Sequence, residues 1–527
     1  MKLPSWIGPV LVCLAIPAIA AGVVLAFGSG SAGHPAPPVS VPVVSQPPTS
    51  TSPRAPTTSQ QPNIVFVLTD DLSLDLLRFM PHVQAMQRHG LIFEDYFVSD
   101  SLCCPSRASI FTGNFPHTTR VFSNFGPDGG FRTFYRRGEE SQTFAVALQR
   151  AGYLTALMGK YLNGYLDVPG NAADGATVSA GTHYEPPGWS KWDVAGFGYH
   201  EFNYTLNHNR TLEYFGRRPE DYLTDVLARR GSAFIDQAAQ AHKPFFLELS
   251  TFAPHSPYIP APRNGHDFPG LKAPHPPSFD VLPTDAPRWL ADHPPLTWRQ
   301  LKVINTAFRR RAQSVQAVDR TIGSIEAALQ SNGLANNTYI VFSSDNGLHT
   351  GEYRLTPGKL TAFDTDIHVP LIVTGPGVPA GKATSAMSEN IDLASTFAAV
   401  AGTTLPSDGH SLLPLLHGQQ PSDWRNAALV EHRGPRIFLT DPDFQQSASG
   451  SPTSYEAMRT QSFLYVEYAD DEHEYYDLRT DPFELHNLAS SLDPPKLQRL
   501  HAQLLAMKLC QGDQACWQAT HVPPQVG

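Results

Sequence analysis

The chain alternates between short apolar runs and longer amphipathic stretches. Asn63-Ile64-Val65-Phe66-Val67-Leu68 is unbroken in its apolar character after Asn63, with proline before it and acids after it, and predicts a central strand of a parallel sheet. Tyr153 to Met158, Phe245 to Ser250, Thr338 to Phe342 and Pro370 to Val373 predict further strands. Helical patterns lie between them: Ser141 to Ala151, and a long one from Trp298 to Ser331 that Gly333 stops. Strands and helices in alternation predict an α/β architecture with crossover connections. No internal repeat interrupts the pattern, and the loop-rich stretch from Pro254 to Pro295 is too long to be mere connection.

The amino terminus follows a different rule. After Lys2 the residues from Leu3 to Phe27 carry no charge, the mark of an export segment. Ala18-Ile19-Ala20 offers a cleavage pattern for a signal peptide, while the apolar continuation from Gly22 to Phe27 gives about 20 residues, enough for a retained anchor. Both remain open. Cys13 follows Val12, not the small residue that lipid attachment requires, and reads as part of the apolar run. From His34 to Pro62 the chain is rich in Pro, Ser, Thr, Val and Gln with Arg54 as its one formal charge, a composition that buries no core and behaves as a semi-extended spacer. Residues 1–27 are therefore assigned to the signal or anchor and 28–62 to a linker, which places the folded part outside the membrane, secreted or anchored at the cell surface.

Charge and composition narrow the function. A net charge of −10 with no basic tract argues against nucleic acid as a partner. With 41% hydrophobic and 16% charged residues the chain is globular for most of its length, and 48 prolines with 39 glycines point to many ordered loops. Five cysteines, at 13, 103, 104, 510 and 516, are too few for a disulfide scaffold.

Open α/β sheets bind ligands beyond the carboxyl ends of their strands, so the residues that follow each run matter most. The first strand ends in Thr69-Asp70-Asp71, the second in Gly159-Lys160, the third leads into Pro254-His255, and the fourth into Ser344-Asp345-Asn346-Gly347. Asp70, Asp71, Asp345 and Asn346 make an all-oxygen donor set of the kind hard divalent cations prefer, calcium or magnesium. Taken alone, an Asp pair more often caps a helix and Asp-Asn-Gly more often makes a tight turn.

Between these ends stands Cys103-Cys104-Pro105-Ser106-Arg107-Ala108-Ser109-Ile110-Phe111-Thr112-Gly113. It resembles the signature of the type I sulfatases, C-x-P-S-R-x-x-x-hydrophobic-T-G, in which a dedicated enzyme oxidises the first cysteine to formylglycine; every fixed position matches. The resemblance runs from about Asn63 to Trp517 and is closest to the N-acetylglucosamine-6-sulfatase branch. It is carried by Thr112-Gly113-Asn114-Phe115-Pro116-His117, by Gly159-Lys160-Tyr161-Leu162-Asn163, by Ser344 to Gly351, Lys359 and Asp366 to Leu371, and by Tyr476-Asp477-Leu478 with Asp481-Pro482 and Asn487-Leu488-Ala489. Cys510 and Cys516 resemble that branch's closing cysteine pair, which implies a disulfide.

The resemblance implies an alkaline-phosphatase-like α/β fold, a large mixed sheet flanked by helices over 63–404 with a smaller C-terminal α/β subdomain over 405–527. It implies hydrolysis of sulfate esters of a sugar or aryl alcohol, with phosphonate monoester or phosphodiester hydrolysis as the alternative within the superfamily. Carried over residue by residue, Asp70, Asp71, Asp345 and Asn346 hold the cation, and oxidised Cys103 completes its shell and acts as nucleophile through its hydrated aldehyde. Arg107, Lys160 and Lys359 supply positive charge against the sulfate, and His255 protonates the leaving oxygen. Many sulfatases place a histidine two residues after the Lys160 position, where this chain has Leu162. That departure leaves His349 or Asn163 to assist the second step. The implied partners are the sulfate-ester substrate and a formylglycine-generating enzyme.

Overall fold

Strand Asn63–Thr69 is buried along its whole length because it lies in the middle of a ten-stranded sheet. A computed structural model describes residues 61–165, 183–434 and 441–526 of the chain. The expected leader and all but the last two residues of the expected linker lie outside the described residues. Among the described residues no helix is long and apolar enough to cross a membrane.

The central strand pairs in parallel with Phe245–Ser250 on one side, Ile64 opposite Phe246, and with Thr338–Ser344 on the other, Ile64 opposite Tyr339. Leu154–Lys160 and Lys191–Ala195 extend the parallel set past Phe245–Ser250. Leu371–Thr374 runs antiparallel to Thr338–Ser344, so the sheet is mixed. The hairpin Tyr204–His208 and Thr211–Phe215, which the sequence reading did not anticipate, closes the far edge. Its turn residues Asn209 and Arg210 both have positive φ, 43° and 70°, without the glycine that announces such a turn.

Alternation along the strands sends their side chains to two cores. Val65, Val67, Leu247 and Leu249 face helices Leu223–Ala241 and Trp298–Ser331, meeting Phe234, Phe308 and Ile322. Ile64, Phe66, Leu68 and Phe246 face the opposite layer, with Phe111, Phe144 and Phe397. The 34-residue helix starts where Thr297 accepts from the Gln300 backbone N–H while the Gln300 side chain accepts from that of Thr297.

The last part of the chain forms a four-stranded antiparallel sheet, Ala427–His432, Tyr455–Thr460, Phe463–Tyr468 and His473–Asp477. One face, with Ala428, Val430 and Leu464, belongs to the same core as Ile64 and Phe66. The other packs on helix Pro494–Leu509 through Leu500, Leu504 and Met507. Cys510 and Cys516 form a disulfide.

Candidate active site

The strand ends converge. At the end of Leu154–Lys160, Gly159 has φ of +111° and a Cβ there would lie 1.9 Å from the Ser250 carbonyl oxygen, so only glycine lets the two strands close up and deliver Lys160. Lys160 Nζ donates to Asp70 Oδ2 at 2.6 Å. Lys359 Nζ, from a distant loop, donates to Asp71 Oδ1 at 2.6 Å and to Cys103 Sγ at 2.9 Å. Cys103 Sγ is also 3.1 Å from Asp70 Oδ1.

Cys103 opens a helix, Cys103–Thr112, every residue of which is buried. The backbone N–H of Cys104 there donates to Asn124 Oδ1 at 3.0 Å, so it is not free for an anion as a helix start suggests. One turn on, Arg107 donates from Nε to Asp345 Oδ2 at 2.8 Å and from Nη1 to Ser250 Oγ at 2.5 Å. Its Nη2, 3.8 Å from Asp70 Oδ1, has no hydrogen-bond partner. Arg107 thus orders the carboxylate behind the thiol rather than the thiol itself.

Burial raises the Cys103 pKa well above that of an ordinary thiol, and Asp345, Asp443 and Asp70 push it further in the same direction. The unmodified side chain is therefore a neutral thiol and a weak nucleophile. Burial would raise the Asp345 carboxyl, yet Arg107, Lys160 and Lys359 bring it down to about 2. Burial would lower His255, but Asp71, Asp443 and Asp70 outweigh it and lift it to about 9, so the ring is an imidazolium at neutral pH.

Asp70, Asp71, Cys103 and His255 bring ligand atoms within 4.8 Å of one another, a group that could hold a metal ion. With Cys103 a neutral thiol and His255 an imidazolium, the carboxylates are the donors of that group a hard cation would take. Asn346 Oδ1 is buried with no hydrogen-bond partner, while its Nδ2 donates to Asp71 Oδ1 at 2.7 Å. An orphaned amide oxygen beside carboxylates is what an oxygen-seeking ion satisfies.

Two residues stand differently from expectation. His349 is fully buried, with Nδ1 on Asp366 at 3.0 Å and Nε2 on the Ser449 carbonyl at 3.1 Å, partners that lie outside the Cys103 cluster. It supports the chain pairing between His349 and Gly358, next to Lys359. Asn163 donates to the Tyr199 hydroxyl at 3.3 Å, and its Oδ1 is unpartnered.

The sequence reading missed Asp443 and Tyr199. Asp443 Oδ1 accepts from His255 Nε2 at 2.6 Å and lies 2.7 Å from Lys359 Nζ, and its Oδ2 accepts from Asn124 at 2.7 Å. The Tyr199 ring lies 4.6 Å from that of His255 and 5.1 Å from Lys160 Nζ. Asp441-Pro442-Asp443 reads locally as a turn, and nothing near Tyr199 marks it.

A family model described as Sulfatase matches residues 62–403, and one described as N-sulphoglucosamine sulphohydrolase, C-terminal, matches 351–511. N-acetylglucosamine-6-sulfatase of Capra hircus is 35% identical over 483 residues, 86% of this chain and 84% of that protein. An extracellular sulfatase of Drosophila melanogaster is 33% identical over 389 residues, 72% of this chain and 33% of its own length. A solved structure bound to its substrate D-glucosamine-2-N,6-O-disulfate superposes with a TM-score of 0.67 at 23% identity, covering 88% of this chain and 99% of that one.

Proposed function

Because the chain belongs to the sulfatase family, we propose that it is a sulfuric ester hydrolase whose alcohol half is a sugar, with 6-sulfated N-acetylglucosamine the first candidate. The observation that carries the reading is the convergence of Asp70, Asp71, Cys103, Lys160, His255 and Lys359, from well-separated segments, around one thiol. Oxidised to formylglycine, Cys103 would supply a nucleophilic oxygen, and calcium or magnesium held by Asp70, Asp71, Asp345 and Asn346 would add positive charge against the sulfate.

The chain's own residues do the rest. Lys160 and Lys359 bring fixed positive charge beside Cys103, where a sulfate ester gathers negative charge as its bond to the alcohol breaks. Arg107 keeps Asp345 ionised and fixed in place. His255, protonated, has Nδ1 on the Ser256 carbonyl at 2.6 Å and gives its Nε2 proton to Asp443, from which that proton would turn to the leaving oxygen, while Tyr199 packs on the ring. His349, bonded to Asp366 and to the Ser449 carbonyl, braces the Lys359 loop.

Export through the segment 1–27, as a signal or an anchor, agrees with the extracellular relative, and a formylglycine-generating enzyme is the partner for maturation. We keep 404/405 as the start of the C-terminal subdomain, whose antiparallel sheet shares one face with the main core.

The test is to produce the protein together with a formylglycine-generating enzyme and assay it on N-acetylglucosamine 6-sulfate, nitrophenyl sulfate and a phosphonate monoester. Peptide mass spectrometry should find an aldehyde at Cys103 and a thiol at Cys104, since only Cys103 stands two residues before Pro105 and four before Arg107. Sulfate esters should be hydrolysed far faster than the phosphonate. Full activity with an unmodified Cys103, or a preference for the phosphonate, would overturn the reading.

A further inference from the structure

Beyond strand Lys191–Ala195 the chain turns through Phe197-Gly198-Tyr199-His200, and the Tyr199 ring stands 5.1 Å from Lys160 Nζ. Gly198 is clamped: a Cβ there would come within 2.5 Å of side-chain carbons of Leu223 and Phe252. Tyr199 is buried and packs its ring edgewise on Phe252 at 5.0 Å, with the His255 ring 4.6 Å away on the same strand-end loop as Phe252. Phe197 rests on Tyr199 at 5.1 Å and near His200 at 5.8 Å, yet it is 57% exposed. An isolated exposed phenylalanine needs no explanation. This one is braced from behind by a ring chain that ends at the group proposed to face the leaving oxygen, with its free side open to solvent. Asn163, buried beside Lys160, fixes Tyr199 by giving its amide N–H to the Tyr199 hydroxyl at 3.3 Å. The apolar C–H face of a sugar ring suits an aromatic surface held in this way.

We propose that Phe197, backed by Tyr199 and His200, is the stacking platform for a pyranose ring of the substrate's alcohol half. This rests on the sugar-sulfate reading above. Phe197 touches neither the thiol nor the carboxylates, so its role is to set which alcohol is accepted.

The experiment compares the matured wild-type protein with Phe197→Ala and Phe197→Trp on N-acetylglucosamine 6-sulfate, with inorganic sulfate as a competing inhibitor that lacks an alcohol half. Loss of one aromatic contact should raise KM for the sugar by about three- to tenfold, with kcat changed by less than about twofold. Phe197→Trp should restore the wild-type KM, and the inhibition constant of inorganic sulfate should stay unchanged in both variants. A KM within about twofold of wild type for Phe197→Ala, or an inhibition constant for sulfate that rises in step with KM, would overturn the platform. If the wild-type protein cleaves nitrophenyl sulfate but no sugar sulfate, the sugar reading itself fails, and the platform with it; that outcome is visible without any variant.

Discussion

At the scale of single residues the site depends on side-chain shape as much as on charge. Arg107 serves Asp345 and Ser250 through two separate nitrogens, a fork that one ammonium cannot reproduce. Arg107→Lys should therefore keep the charge and still lower kcat/KM on sulfate esters by roughly 100-fold, in the range for losing one positioned donor. Steady-state kinetics decide it, and unchanged turnover would mean that charge alone is needed there. What could be read from the chain at this scale were the residues that sit in contiguous strings: Asp70-Asp71, Cys103 to Arg107, Gly159-Lys160, Asp345-Asn346. Asp443 and Tyr199 could not, because their work is to touch His255 across 188 and 56 positions, and an acid or a tyrosine in a loop has no local pattern that announces a distant partner.

Among the elements, helix Leu223–Ala241 starts against a buried acid. Glu201 Oε2 accepts from both the backbone N–H and the hydroxyl of Thr224, each at 2.9 Å. Burial raises its pKa to about 8, an effect that the Thr224 hydrogen bonds only partly offset. Since this folded-state value stands above the unfolded one, the contribution to stability is fully present below about pH 4.5 and is lost as pH rises through about 8. Glu201→Gln keeps an acceptor for Thr224 and cannot ionise. Relative to wild type, the variant should gain roughly 1–3 kcal/mol on going from pH 5 to pH 9. Urea unfolding at the two values checks this, and a difference independent of pH would show that Glu201 does not titrate between them. The strands with unbroken apolar runs were legible at this scale because burial on both faces leaves no room for polar residues. The hairpin of Tyr204–His208 and Thr211–Phe215 was not, since its turn achieves positive φ with Asn209 and Arg210 in place of glycine.

For the whole molecule, the C-terminal sheet is part of the main core. A chain ending at residue 404 would leave the surface of that core otherwise covered by Val430, Ala428 and Leu464 open to water, and would remove Asp443 from the site. Such a truncated protein should fail to unfold cooperatively and should have no sulfatase activity; circular dichroism with a thermal scan would show it, and a stable, active fragment would contradict it. The sequence by itself determined the family, the α/β class and the strings that carry the chemistry, because these depend on local periodicity and on motifs whose residues are neighbours in the chain. Only the tertiary structure decided that Arg107 orders Asp345, that His349 reaches the Ser449 carbonyl, and that Asp443 joins His255 to Lys359. Each of these is a contact between segments far apart in the chain. Such contacts are set by how strand ends and loops pack in space, and residue order alone does not record that packing.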